Sequence, residues 1–233
     1  MGLGRRLKDL EGRIRAHYNV APTSPENRRK ARIYALWFDH EILRGLWTNF
    51  DEIAPGVFRS NHPTRARFER MKARGITTIL NLRGVTQSAH YLLEEEICAD
   101  LGLTLVNANL LARAAATRAD ILDVIAKLKT LDKPFVMHCK SGADRAGFAS
   151  AMYLMVVEGK SVDEARSMLS PRYLHFRNGK VGILDYTLDV YAARNARHPI
   201  AFETWIATEY DDQAIGRAFH AGVAPDACEM NAA

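Results

Sequence analysis

Cysteine is scarce in this chain. Of 233 residues only Cys98, Cys139 and Cys228 are cysteines. An odd number without short-range pairing excludes a disulfide framework and suits a reducing compartment. Neither Cys-x-x-Cys nor His-Glu-x-x-His occurs, so no metal-site signal is present and no metal or cofactor is expected. Long apolar runs are missing too. The most apolar early stretch, 33–47, is broken by Asp39, His40, Glu41 and Arg44, which argues against a spanning helix. Arg5 and Arg6 are followed by no apolar core of the kind a secretory signal needs. Internal repeats and low-complexity tracts are absent. What remains is an ordinary globular composition, 48% hydrophobic and 25% charged, enough for one large domain or two small ones.

The net charge of +5 is unevenly placed. Residues 1–32 hold nine Lys/Arg (Arg5, Arg6, Lys8, Arg13, Arg15, Arg28, Arg29, Lys30, Arg32) against Asp9, Glu11 and Glu26, so the other 201 residues sum to −1. A solvated arm accounts for this, and so does peripheral contact with an anionic membrane through residues 1–32. Nucleic acid is not expected as a partner, because no reading motif accompanies the charge. The expected location is cytoplasmic, with membrane association through that arm.

Three segments follow: a basic helical N-terminal arm over 1–50, a body over 51–210 and a C-terminal tail over 211–233. In the arm, Leu3, Leu7, Leu10 and Ile14 recur at helical spacing, as do Trp37, Leu43 and Trp47 with their neighbours. The body alternates strand-like and helix-like runs. Val57-Phe58-Arg59, Ile76–Leu82, Leu103–Val106 and Pro134–Met137 read as strands. Helices are expected from Pro63 to Arg74, with Phe68 and Met71 inward, and from Ser88 to Leu101, with Leu93, Ile97 and Leu101 on one face. A third starts at an N-cap Thr117 and carries a stripe of Ile121, Leu122, Ile125 and Leu128. A fourth covers Ala146–Val157, a capping box of Ser161 and Glu164 opens the next, and 181–193 and 200–208 follow. Such alternation predicts an α/β fold with a parallel-type central sheet flanked by helices.

One segment concentrates the chemistry: His138-Cys139-Lys140-Ser141-Gly142-Ala143-Asp144-Arg145, set between an apolar strand and an apolar helix. A loop at a strand's carboxyl end, running into a helix N-terminus, points backbone N–H groups at one spot and so holds anions. The same field favours a thiolate, the nucleophilic form of cysteine, at Cys139. The planar fork of Arg145 can hold two oxygens of one phosphoryl group, and Gly142 allows the tight turn.

These residues resemble the protein tyrosine phosphatase superfamily, whose signature is His-Cys, five residues, then Arg. Val57–Pro63 and Gly75–Arg83 look like the N-terminal half of compact bacterial dual-specificity-like phosphatases, so the likeness covers about 55–193. It implies a cysteine-phosphatase fold and hydrolysis of phosphomonoesters through a phosphocysteine on Cys139. By the same resemblance, Arg145 and the amides of Lys140, Ser141, Gly142, Ala143 and Asp144 bind the phosphoryl group, and His138 orients the loop. Two departures stand out. Ala146 occupies the place of a usual Ser or Thr. The region 107–117, where the family carries an acidic Asp, has no carboxylate. Asp144 is therefore the candidate general acid, as in phosphoinositide phosphatases with Asp before this Arg; positioning of Arg145 is its other reading. Phosphotyrosine protein is the first expected substrate. A phospholipid or phosphoinositide headgroup comes second, favoured by Lys140 and the basic arm. A phosphate-binding pseudophosphatase is the alternative from another class. Rhodanese-like sulfur transfer fits the spacing less well. The segment Arg172–Lys180 is a second basic, aromatic loop that could touch substrate.

Overall fold

The structure is a computed structural model and describes residues 3–229. Its apolar runs pair into one sheet made of β1 (Asp51–Ala54), β2 (Val57–Ser60), β3 (Thr78–Asn81), β4 (Thr104–Asn107) and β5 (Phe135–His138), in the spatial order β1-β2-β5-β3-β4. β5 is central and parallel to both β2 and β3, and β1 closes one edge as an antiparallel strand. A strand covered on both faces must be apolar along its whole length. Phe135, Val136 and Met137 are accordingly all buried.

Helices cover both faces. In chain order they are α1 (Leu3–Tyr18), α2 (Pro25–Ile33), α3 (Glu41–Arg44), α4 (Arg65–Ala73), α5 (Ala89–Leu101), α6 (Arg118–Thr130), α7 (Asp144–Val156), α8 (Val162–Ala165), α9 (Ile183–Arg197), α10 (Phe202–Thr208) and α11 (Asp212–Ala221). On one face Phe68 and Met71 of α4 and Cys98 of α5 pack against Ile79 and Val136. On the other, α6, α7, α9 and α10 bury Ile125, Phe148, Leu188 and Trp205 against Leu80, Phe135 and Met137. This is the expected α/β architecture with a mostly parallel sheet. Truncating one such aromatic to alanine costs about 3–5 kcal/mol, so this layer anchors the strand that carries the site.

Several local expectations shift. In α5 the buried residues are Ala89, Tyr91, Glu94 and Cys98, whereas Leu93, Ile97 and Leu101 are only half-buried. The inward face is one position further round because a buried carboxylate, Glu94, points at the sheet. In α6 Val124 replaces Leu122 in the buried stripe. Thr117 does cap that helix, and Ser161 with Glu164 forms the capping box. β1 carries little apolar alternation and was not legible as a strand. Trp37, Leu43 and Trp47 share no helical face: a π-helical turn over Tyr34–Phe38 ends before His40, which takes φ 61°, and a separate short helix follows.

The segment 211–233 is corrected as a tail. Residues 212–221 form α11, capped by the Asp211 side chain, with Ile215 buried against the main core. From residue 18 on, the N-terminal segment is likewise packed. Tyr18, Ala31, Tyr34 and Phe38 cluster with Ala89 and Leu93, and Arg28 pairs with Glu96 at 2.6 Å. Residues 39–47 of this segment reach the loop after β5 and form a wall of the site. Among the described residues no helix is long and apolar enough to cross a membrane.

Candidate active site

The chain leaves β5 at His138 and enters α7 at Asp144. The loop between them is held by its carbonyls. The His62 amide donates to the Lys140 carbonyl at 3.2 Å. Asn49 Nδ2 donates to the Ser141 carbonyl at 2.9 Å and to that of Tyr173 at 2.8 Å. Arg59 Nη2 donates to Gly142 O at 2.6 Å and to Ala143 O at 3.3 Å. With its oxygens tied outward, the loop has its N–H groups left over. The amides of Lys140, Ser141, Gly142, Asp144 and Arg145 meet no protein acceptor among the described residues. Unsatisfied N–H groups converging at a helix N-terminus form an anion cradle.

Gly142 is required by this arrangement. It takes φ +72°, and a Cβ there would lie 2.6 Å from the Asn61 nitrogen and 2.7 Å from the Ser60 carbonyl carbon. Both are backbone atoms at the end of β2 and cannot yield. Asn61 is itself fixed, donating to the carbonyls of Arg44 at 2.8 Å and Trp47.

A cavity of about 540 Å³ opens over the loop, lined by Asp39, His40, Arg113, Cys139, Lys140, Asp144 and Arg145, with Leu43, Arg44 and Trp47 at one side. Cys139 lies at its floor and is nearly fully buried. The Arg145 guanidinium has no ion-pair or hydrogen-bond partner among the described residues, and its buried Nε is unsatisfied. An unpaired guanidinium facing a cavity is set to receive an oxyanion. The residues singled out from sequence, His138 through Arg145, are therefore brought to one place.

The positive field has further sources. Arg59 is fully buried with no carboxylate partner among the described residues; its guanidinium stacks 3.6 Å over the Tyr173 ring and donates to Met168 O at 2.8 Å. Burial lowers its pKa to about 10, so it stays charged. Asp39 carries the opposite charge but is taken up. Burial pushes its carboxyl upward, and the guanidiniums of Arg83 (2.8 Å) and Arg44 outweigh this, holding it well below the carboxylate range. Lys140 stands 3.6 Å from Asp39; burial chiefly lowers its pKa.

Beneath the loop, Glu94 Oε1 lies 2.6 Å from His138 Nε2, and Oε2 lies 3.7 Å from His62 Nδ1. His138 Nδ1 faces the Cys139 carbonyl at 3.4 Å. All three side chains are buried, and they are the one group of metal-ligating spacing found among the described residues. Arg83 Nη1 sits 3.2 Å from His62 Nδ1, and a guanidinium there opposes a second cation. Burial, His138 and Arg83 hold His62 far below its usual pKa, so it is neutral and accepts from Arg83. The cluster fits a support under the loop better than an ion site.

Asp144 lies at the cavity edge with one carboxylate oxygen, Oδ1, 2.7 Å from His175 Nδ1; His175 Nε2 in turn meets Asp185 Oδ2 at 2.8 Å. Sequence reasoning missed Asn49, Arg59, Glu94 and His175. Arg59 left one signal: it stands two residues after Val57, on the buried side of a strand.

The family model described as "Polymorphic toxin system, DSP-PTPase phosphatase" matches residues 54–160. No curated protein sequence matches the chain. Among solved structures, TpbA of P. aeruginosa is similar at 19% identity and TM-score 0.51, over 60% of this chain and 83% of that one. A DUF442 protein from Shewanella putrefaciens CN-32 is similar at 15% identity and TM-score 0.52, over 66% and 96%. Residues 54–160, which hold β2 to β5 and the loop after β5, match that family model, and the fold is similar to that of these two solved structures.

Proposed function

We propose that this domain hydrolyses phosphomonoesters with Cys139 as nucleophile. The observation that carries this is the cradle: loop carbonyls bound from outside by His62, Asn49 and Arg59, free amides inside, and the unpaired Arg145 beside Cys139. A phosphate dianion supplies the acceptors that those donors lack. Cys139 Sγ attacks phosphorus in line, the S–P bond forms, and the bond to the leaving oxygen breaks with its electron pair on that oxygen. Arg145 and the amides hold the equatorial oxygens, where one preorganised donor is worth about 2.7–4 kcal/mol in the transition state. Water then attacks the phosphocysteine and releases phosphate and the thiolate. His138 orients the loop through its neighbour Glu94, and Lys140 adds charge at the mouth.

A protein phosphotyrosine is the first substrate in this reading, and a reducing cytoplasmic setting keeps Cys139 competent. The test is a panel of phosphotyrosine and phosphoserine peptides, phosphoinositides and phosphatidylglycerophosphate, with Cys139→Ser as the blank. Turnover of none of them alongside tight phosphate binding would leave a pseudophosphatase, an outcome to which Ala146 lends weight.

One observation favours a lipid headgroup as second substrate. The segment that walls the cavity turns apolar side chains to solvent: Trp37 is 62% and Leu46 82% exposed, with Ile42 and Leu43 between them. Apolar side chains beside a basic segment suit the surface of an anionic bilayer. Binding to anionic vesicles that falls in the Trp37→Glu, Leu46→Glu double variant supports this. Equal binding by both proteins removes the lipid reading and leaves the phosphopeptide.

A further inference from the structure

Of the carboxylates lining the cavity, Asp39 is locked by Arg83 and Arg44 and stays ionised. Asp144 is the other, and it does not stand alone. His175 is held between Asp144 Oδ1 at 2.7 Å and Asp185 Oδ2 at 2.8 Å, with its side chain 1% exposed. A neutral imidazole has a single N–H. Facing carboxylates from both nitrogens, His175 satisfies both contacts only as imidazolium. The chain turns it inward at Leu174, which takes φ 61° and leaves its own side chain in solvent. Burial opposes the charge, yet the bonds to Asp144 and Asp185 raise the pKa to about 9.

The surrounding charges leave that proton in place. His175 is faced by Asp144 from α7 and by Asp185 from α9. The nearby Arg166 and Arg177 are both spent on Asp189 of α9, the former at 2.9 Å. Behind the imidazole a second opening is lined by Asp185, Asn178, Arg166 and Asp189, which gives the ring a route for exchange with water. An arginine would serve a purely structural pair as well; an imidazole can also pass a proton at near-neutral pH.

Resting on the cysteine-phosphatase reading above, we propose that His175 stores the proton for the leaving group and delivers it through Asp144. As the P–O bond breaks, His175 Nδ1 passes its proton to the Asp144 carboxylate, and Asp144 gives that proton on to the leaving oxygen and is itself a carboxylate again. The imidazole is left neutral and still bonded to Asp185. In the second step water attacks phosphorus and loses a proton to Asp144, which returns one to His175. Protons balance over the cycle and no other reactant is needed. His175 acts through Asp144, so it is a positioning and relay residue; Asp144 is the one that touches substrate.

The experiment measures kcat/KM against pH for benzyl phosphate, whose leaving group needs a proton, and p-nitrophenyl phosphate, whose leaving group does not. The parent enzyme shows a basic limb near pH 9 on benzyl phosphate. His175→Gln loses about 10²–10⁴-fold on benzyl phosphate, the range of general acid catalysis, and much less on p-nitrophenyl phosphate, with orthovanadate binding kept. Asp185→Asn, which touches no loop residue, moves the basic limb to lower pH. Equal losses on both substrates, or a limb unmoved by Asp185→Asn, overturns the relay. Should His175→Gln fail to bind vanadate, the Asp185→Asn limb decides. Turnover surviving in Cys139→Ser would instead sink the underlying cysteine mechanism, so the two failures are told apart.

Discussion

Arg59 and Gly142 meet beneath the loop: Nη2 of the arginine, on β2, donates to the glycine carbonyl at 2.6 Å. Because Ser60 pairs with His138 in the parallel register, the strand beside β5 carries the group that shapes the turn after β5. Arg59→Met removes the donors to Gly142 and Ala143 and a buried charge. Each lost bond to a charged donor is worth about 1.5–3 kcal/mol, but relief of an unpaired buried cation offsets part of the stability cost. Turnover is therefore expected to fall by about 10²-fold, at 1.4 kcal/mol per tenfold, while Tm falls only a few degrees. Steady-state rates on an aryl phosphate and thermal unfolding check this together. A large Tm loss with intact kcat/KM would give Arg59 a purely structural part.

Gly142→Ala is expected to disable anion binding. The new Cβ meets backbone at 2.6 Å and 2.7 Å while φ is +72°, and strain of this kind costs about 1–3 kcal/mol. The loop must reopen to escape it, which scatters the amides. Titration with phosphate or vanadate reads the loss directly; unchanged affinity would show that the amides do not form the cradle.

Stability depends on pH through His175. Its folded pKa of about 9 lies above the usual 6.5. The contribution is therefore fully present below pH 6.5 and is lost as pH rises through 9. At 1.36 kcal/mol per unit the span is about 3 kcal/mol. Chemical unfolding at several pH values should show this decline in the parent and not in His175→Gln. Parallel curves for the two proteins would contradict it.

Asp39→Asn removes the counter-charge of the nearly buried Arg83 guanidinium and leaves Arg44 only the longer contact to Glu41 at 3.8 Å. Breaking such a pair from one side costs about 3–5 kcal/mol. Denaturant midpoints measure it, and Asp39→Ala should be no milder.

The alternation of apolar strands and helices was legible because period and punctuation are local properties: Val57, Ile79 and Phe135 all lie in strands where expected. Cys139, Gly142 and Arg145 were legible from one contiguous loop. The supports were not, because each comes from far along the chain. Asn49 reaches Ser141 across 92 positions and Arg59 reaches Gly142 across 83. Glu94 lies among three successive glutamates, 94–96, and only the fold turns it under His138. His175 sat in the basic, aromatic loop Arg172–Lys180, where nothing local set it apart from its neighbours; Phe176 beside it is exposed while His175 is buried. α11 went unread because a short helix held by two adjacent buried residues, Ala214 and Ile215, leaves a weak pattern.

The most direct test of the cysteine mechanism is trapping of the covalent intermediate. The enzyme is mixed with a ³²P-labelled aryl phosphate, quenched in acid within one turnover, and digested for mass analysis. Phosphate bound to the Cys139 sulfur in the parent, absent in Cys139→Ser together with turnover, is the result expected. Turnover retained in Cys139→Ser, or label on any other residue, would contradict it.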